Sequence, residues 1–236
     1  MHPILQQLRG GLIVSCQADP GDPLRDPHIT AAMAQAAVLG GAVGIRASGP
    51  EDTAAIRSAV RLPIIGIYKY DLPGFQVRIT PTVALAVEIA QAGADLIALD
   101  ATQRPHPGGI EAGDLIKQVK AKTGKPVLVD ISTLHEGLRA AEAGADAILP
   151  TLSGYTDYSP QRTEPYFELI EELASRLSVP VIAEGRIAMP AQAVQALALG
   201  AWAVCVGSAI TRPRWIAEQF ATALLRKGSN EKDAVV

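Results

Sequence analysis

Aromatic residues are scarce in this chain, at 4% of 236 positions. Its apolar content, 48%, is therefore mostly Ala, Leu, Ile and Val, the composition of parallel strands wrapped in Ala-rich helices. Cysteine is nearly missing. Cys16 and Cys205 both lie inside apolar runs, lack the spacing of a metal site and imply no disulfide framework, so they are expected as buried small hydrophobes. There is no large excess of either charge. The net charge is -3 and the Lys and Arg residues are dispersed, with no basic stripe to hold a nucleic acid. No apolar run approaches the ~20 residues that cross a bilayer. The opening residues 1–11 lack the long apolar segment of a signal peptide. No nucleic-acid or membrane partner is expected, and the expected location is the cytoplasm.

What is present is a repeat. Gly41-Ala42, Gly93-Ala94, Gly144-Ala145 and Gly200-Ala201 each follow an Ala-rich stretch and precede an apolar run. They recur every ~50 residues, about two strand–helix units of a closed barrel. Between them Pro63, Pro126 and Pro180 each open another run. The strands expected are Gly11–Gln17, Val43–Ala47, Ile64–Lys69, Leu96–Asp100, Val127–Ile131, Ala147–Thr151, Val181–Glu184 and Ala203–Val206. Helical periodicity fits Ile29–Leu39, Glu51–Val60, Thr82–Ala92, Gly113–Lys122, Thr133–Ala143, Glu164–Arg176, Pro190–Leu199 and Arg214–Leu225. Eight alternating units predict a single-domain (β/α)8 TIM barrel of the phosphate-binding type over 1–236. An open doubly wound sheet would carry a Gly-rich loop after its first strand, where Gln17-Ala18-Asp19-Pro20 stands instead. Residues 1–10 are expected to place a short helix under the barrel floor, and 227–236 to form a flexible tail.

The chemistry gathers at the strand tips. Gln17, Lys69, Asp130 and Glu184 end the first, third, fifth and seventh strands. A buried strand has no structural use for a charge at its tip, and burying one unpaired is costly. In a barrel, alternate strands contribute to one layer of side chains, and the active site lies at the C-terminal ends. These four are expected as one polar layer at the mouth, with Lys69 and Glu184 facing each other across the axis. An amine and a carboxyl on either side of a small ligand suit moving a proton off one face of a carbon and onto another. The alternative is a buried ion-pair network closing the barrel top. Arg46, on the second strand, either hydrogen-bonds a substrate oxygen or holds one of the carboxylates. Thr151, at the end of the sixth strand, is a further substrate-lining candidate. Tyr155, in the Gly154-Tyr155-Thr156 loop, either covers the ligand or packs on the rim.

The last two loops give a second signal. Gly185 and Arg186 follow strand seven; Gly207, Ser208 and Arg212 follow strand eight. Barrels often bind phosphate there through backbone N–H groups and a short extra helix. Asp100 opens a charged loop that reaches His106, expected as an exposed loop residue. His135 is expected on the surface or in packing. No nicotinamide fingerprint is present. Asp100, Asp130 and Glu184 lie on separate strands with no histidine at a matching tip, so neither a metal nor another cofactor is expected.

Taken in order, Ser15-Cys16-Gln17, Gly66-Ile67-Tyr68-Lys69, Ile79-Thr80-Pro81-Thr82, Asp100-Ala101-Thr102, Ser153-Gly154-Tyr155-Thr156, Glu184-Gly185-Arg186 and 207–213 resemble the N-acetylmannosamine-6-phosphate 2-epimerase family of bacterial sialic acid catabolism. The resemblance runs from about Gly11 to Pro213. It implies interconversion of N-acetylmannosamine 6-phosphate and N-acetylglucosamine 6-phosphate. It implies Lys69 and Glu184 as the catalytic pair, Gln17, Arg46 and Asp130 around the sugar, and Arg212 with loop backbone on the phosphate. It also implies a homodimer, in which Trp215 and Phe220 face either a partner or the barrel. Other classes remain open: another phosphosugar isomerase or epimerase, an FMN-dependent barrel oxidoreductase, which would be yellow, and a phosphosugar-binding barrel without catalysis.

Overall fold

Eight parallel strands form one sheet that closes on itself. The computed structural model describes the backbone of residues 1–230 and the side chains of residues 1–225. The strands are β1 (Leu12–Cys16), β2 (Gly44–Ser48), β3 (Ile64–Ile67), β4 (Leu96–Asp100), β5 (Val127–Asp130), β6 (Ala147–Leu149), β7 (Ile182–Glu184) and β8 (Ala203–Val206). They pair in the order β6-β5-β4-β3-β2-β1-β8-β7, and a parallel bridge from Ile148 to Val181 joins the two ends. The expected barrel is the fold observed.

The repeated Gly-Ala marks work as helix stops. Gly41, Gly93, Gly144 and Gly200 all adopt φ between 91° and 105°, where a Cβ is penalised. The N–H of the Ala that follows each bonds to the carbonyl five residues back, as in Ala94 to Ile89 and Ala201 to Ala196. That bond closes the helix and aims the chain at the next strand. Pro63, Pro126 and Pro180 have no N–H to offer, but their carbonyls accept from Ile45, Ile97 and Ile148 of the neighbouring strands at 2.9–3.0 Å.

The helices between strands are α2 (Pro27–Leu39), α3 (Pro50–Ala59), α4 (Val83–Gln91), α5 (Ala112–Thr123), α6 (Leu134–Glu142), α7 (Phe167–Arg176) and α8 (Pro190–Ala198). Two more follow β8: α9 (Ser208–Thr211) and α10 (Pro213–Asn230). The helix of the sixth unit, α7, begins at Phe167 rather than Glu164, because Pro165 disfavours helical backbone at the residue before it. Residues 227–230 of the expected tail continue α10; 231–236 lie outside the described residues.

α1 (Pro3–Gln6) lies at the floor of the barrel. Leu5 and Leu8 are fully buried and pack with Ile13, Ile65, Leu96, Leu128 and Ala203 inside the barrel. Trp202 Nε1 donates to the Leu5 carbonyl at 2.7 Å. No helix among the described residues is long and apolar enough to cross a membrane.

β1 and β5 stop one residue short of expectation and β3 and β6 two, and the end of β3 shapes the site. β3 ends at Ile67 because the chain then turns into a hairpin-like loop. Tyr68 N donates to Thr80 Oγ1 at 3.0 Å, Thr80 N returns to the Tyr68 carbonyl, and Lys69 pairs antiparallel with Ile79. Thr80 takes φ 47°, an uncommon value for a β-branched residue, fixed here by its hydroxyl bond to the Ala98 carbonyl at 2.7 Å. Lys69 is thereby carried above the barrel sheet. β6 ends at Leu149, where Pro150 begins the turn to the next loop.

Candidate active site

A cavity of about 970 Å³ opens at the C-terminal ends of the strands. Its walls include Gln17, Arg46, Lys69, Thr151, Tyr155 and Glu184, together with Gly185, Arg186, Gly207, Ser208 and Arg212. Of the residues singled out in the sequence as site candidates, Asp130 alone is set behind this wall. It is fully buried, and it holds Arg46.

Arg46 is the centre of the buried charge. Its guanidinium is 1% exposed, donates through Nη2 to Asp130 Oδ2 at 2.7 Å, and donates through Nη1 to Glu184 Oε2. One cation from β2 therefore ties together carboxylates from β5 and β7. The expected layer of Gln17, Lys69, Asp130 and Glu184 is corrected accordingly. Asp130 and Glu184 are tied to Arg46 by ion pairs, whereas Gln17 and Lys69 lie beyond the ends of β1 and β3. A buried ion-pair network is present at the tips, and Lys69 and Glu184 share one cavity above it.

The electrostatics separate these groups. Burial by itself disfavours the Arg46 cation, but the Asp130 and Glu184 carboxylates outweigh it and hold the guanidinium firmly protonated. Burial pushes the Glu184 carboxyl above its ordinary 4.5; Arg46 opposes this and Asp130 adds to it. Burial also draws the Lys69 ammonium below 10.5, with Arg212 and Arg46 pulling the same way and Asp19 and Glu184 resisting. An amine and a carboxyl in one cavity are thus displaced toward each other, the direction that general acid–base work requires. Cys205 lies beside Glu184 on the cavity floor, and burial raises its thiol well above 9.0. It is buried and free, like Cys16, as expected.

Several buried polar atoms on the wall have no hydrogen-bond partner among the described residues: Gln17 Oε1, Arg46 Nε and Thr151 Oγ1. Gln17 spends its amide N–H on Ser15 Oγ at 2.7 Å, which fixes its carbonyl oxygen. Such groups suit a ligand rich in hydroxyl and amide functions.

The loops after β7 and β8 reach the cavity wall. Gly207 starts α9, which Thr211 pins to β1 through its hydroxyl and the Ser15 carbonyl at 2.8 Å. Arg212 follows, with Nη1 2.8 Å from Asp19 Oδ2. Gly185 has φ 113° and brings backbone to the cavity wall. Arg186, expected on phosphate, directs its guanidinium elsewhere. Nη1 and Nη2 donate to the carbonyls of Ser153 and Gly154 at 2.5 and 3.1 Å, and the group lies 4.1 Å from the centre of the Tyr155 ring. It clamps the loop after β6. Tyr155, 60% exposed, therefore stands on the rim with Arg186 beneath it.

His106 is not an exposed loop residue. It is 3% exposed, with its ring nitrogens 2.9 Å from the Asp100 carbonyl and 3.0 Å from that of Arg104. Asp100 in turn accepts from Arg104 Nη2 at 2.7 Å and from Thr102, making a closed rim structure. His135 is exposed, in line with the surface reading. Trp215 faces the cavity. Two residues that sequence reasoning passed over matter here. Asp19 contacts both Arg212 and Lys69. Glu136 accepts from Gln103 N at 2.9 Å, Ser132 N at 2.7 Å and Tyr158 Oη at 2.7 Å, joining the loops after β4, β5 and β6. The capping box Thr133-x-x-Glu136 was a readable signal for the second, though only of a helix start. Among the described residues, no three His, Cys, Asp or Glu side chains come together as a metal site.

A family model described as NanE, "Putative N-acetylmannosamine-6-phosphate epimerase", matches residues 30–226. The chain belongs to this family. Family members named "Putative N-acetylmannosamine-6-phosphate 2-epimerase" are similar along almost the whole length. One from Caldanaerobacter subterraneus subsp. tengcongensis is 51% identical, covering 93% of each chain. Another, from Thermosynechococcus vestitus, is 49% identical and covers 92% of this chain and 95% of its own. Among solved structures of the family, the N-acetylmannosamine-6-phosphate 2-epimerase from Clostridium perfringens superposes with a TM-score of 0.91. It is 44% identical, covering 94% of this chain and 96% of that one.

Proposed function

We propose that this protein is an isomerase that interconverts N-acetylmannosamine 6-phosphate and N-acetylglucosamine 6-phosphate by removing and returning the proton at C2. Family membership supports the substrate pair. The observation that carries the chemistry is Lys69 and Glu184 on one cavity, each with its protonation equilibrium displaced toward the other's. The C2 hydrogen is acidic only when C1 is an open-chain carbonyl. Glu184, a carboxyl that burial favours in its protonated form, shuttles the proton that opens the ring. Lys69 as neutral amine then takes the C2 proton. The C2–H bond breaks, an N–H bond forms, and the electron pair moves into C1=C2 while the carbonyl oxygen gains charge. Arg46, held cationic by its two carboxylates, is placed to stabilise that oxygen. Return of a proton to the opposite face inverts C2. Gln17 and Thr151 are assigned to the hydroxyl and acetamido groups, with Asp130 holding Arg46 in register. Arg212 and the backbone at Gly185, Gly207 and Ser208 are assigned to the phosphate, which anchors the far end and fixes C2. Turnover in D2O, followed by NMR of both sugars, is expected to place deuterium at C2 of the product. Product formed without label would sink the deprotonation.

The active species is proposed to be a cytoplasmic homodimer. Phe220 and Leu224 of α10 are 70% and 72% exposed, on a helix whose closest packing is with α9. Large apolar side chains set this close together suit a protein partner. Light scattering of the eluting protein is expected to give twice the 24.7 kDa chain mass; a monomer at micromolar concentration would rule this out.

A further inference from the structure

Asp19 stands three residues beyond β1, on the loop leading to α2. Its Oδ2 lies 2.8 Å from Arg212 Nη1 and its Oδ1 3.8 Å from Lys69 Nζ. A single carboxylate thus spans the cation assigned to phosphate and the amine assigned to the C2 proton. All three side chains face the same cavity and are about one-third to one-half exposed. The charged groups facing Lys69 are Asp19, Glu184, Arg46 and Arg212. Farther round the wall, Asp100 is paired with Arg104, and Arg78 with Asp71. The two anions near Lys69 differ in freedom. Glu184 is held by Arg46 deep in the barrel, whereas Asp19 is 47% exposed on a loop. Its side chain can rotate into solvent while its carbonyl keeps the turn bond from Asp22 N at 3.0 Å.

A phosphate and a carboxylate compete for one guanidinium, and their like charges repel. We propose that Asp19 is a positioning residue for the epimerisation: it bridges Arg212 and Lys69 before substrate arrives, and the substrate's phosphate displaces it from both. This rests on the reading of Lys69 and Arg212 above. Its consequence is a base released by its own substrate. The Asp19 carboxylate favours the ammonium form of Lys69, while Arg212 and Arg46 favour the amine. Once Asp19 leaves, the amine is easier to form. The arriving phosphate does not take the place of Asp19 beside Lys69, because it is attached four carbons from C2 and docks at Arg212, so its charge lies farther from the amine.

The test uses the full chain with Asp19→Asn and Asp19→Glu. Calorimetric binding of inorganic phosphate is expected to be about 2–5-fold tighter in the Asn variant and close to wild type in the Glu variant. The acid limb of kcat/KM, which reports the free enzyme, is expected to move to lower pH in the Asn variant by about 0.3–0.7 units. The sign follows from the loss of a charge that holds the ammonium. The acid limb of kcat, which reports the complex, is expected to coincide in wild type and variant. Unchanged or weaker phosphate binding in the Asn variant would overturn the competition. An equal shift in both limbs would place Asp19 beside Lys69 throughout the reaction and overturn the displacement. A Glu variant that behaves like Asn would assign the effect to loop packing and overturn the role of the charge. Failure of the underlying reaction is seen separately, as missing C2 label, and the phosphate measurement involves neither C2 nor turnover.

Discussion

Replacing Lys69 with alanine is expected to lower kcat/KM by about 10³-fold or more, because a positioned base contributes roughly 10²–10⁴-fold and no other lysine among the described residues lines the cavity. The unfolding free energy is expected to stay within about 0.5 kcal/mol of wild type. Lys69 is 32% exposed, and its ion pair with Asp19 is 3.8 Å long with Asp19 itself 47% exposed, so removal leaves no buried partner stranded among the described residues. Lys69→Arg separates two roles. It keeps a cation but cannot supply a neutral amine near neutral pH, and should be as inactive as the alanine variant. Steady-state rates on the two amino-sugar phosphates, alongside a thermal melt, check both statements. A Lys69→Ala enzyme within ten-fold of wild type would remove this residue from the mechanism, as would an active Lys69→Arg enzyme.

Arg46→Leu is expected to have the largest effect on stability, about 3–5 kcal/mol, read as a lowered urea midpoint. The reason is what remains behind. Asp130 is fully buried and Glu184 nearly so, and without the guanidinium two carboxylates face each other in the barrel. The loss should depend on pH, and its sign can be worked out. Glu184 already sits above 4.5 through burial and Asp130; losing Arg46, which opposes both, raises it further. A carboxyl whose folded value exceeds its unfolded one contributes stability that is present below the unfolded value. That contribution is lost as pH rises through the folded one. The deficit of the variant should therefore shrink as pH is lowered toward 4.5 and widen toward neutrality. A deficit under about 1 kcal/mol, or one that does not change with pH, would mean the network carries little of the load assigned to it.

The same contrast between local and distant contacts explains what was legible beforehand. The Gly-Ala marks were readable because everything that makes them work lies within five residues: a left-handed Gly and an Ala N–H that bonds back into the helix just ended. From them the strand–helix alternation and the barrel followed. Arg46 was different. Its sequence position allowed two roles, and the choice depends on Asp130 and Glu184, 84 and 138 positions away, meeting it across a closed sheet. Arg186 follows the Gly expected of a phosphate loop, yet its donors are taken by the chain after β6 folding back over it. His106 depends likewise on the path of its own loop, which curls until both ring nitrogens meet carbonyls. Lys69 was identified by type and order, but its height above the sheet comes from the turn through Thr80. Residue identity singled out side chains that line one cavity; long-range register decided which of them touch.

The bond from Trp202 to Leu5 joins positions 197 residues apart. During translation at roughly 5–20 residues per second, the first turn of the chain emerges about 10–40 s before the indole that will hold it. For that interval Leu5 and Leu8 can meet Ile13, Ile65, Leu96 and Leu128 as these emerge, but they lack Ala203 and the indole bond, and the cylinder stays open where β8 will close it. Its completion is therefore a late event governed by the slow search for distant contacts. A nascent polypeptide stalled before residue 202 would expose the oily interior to whatever waits at the exit tunnel.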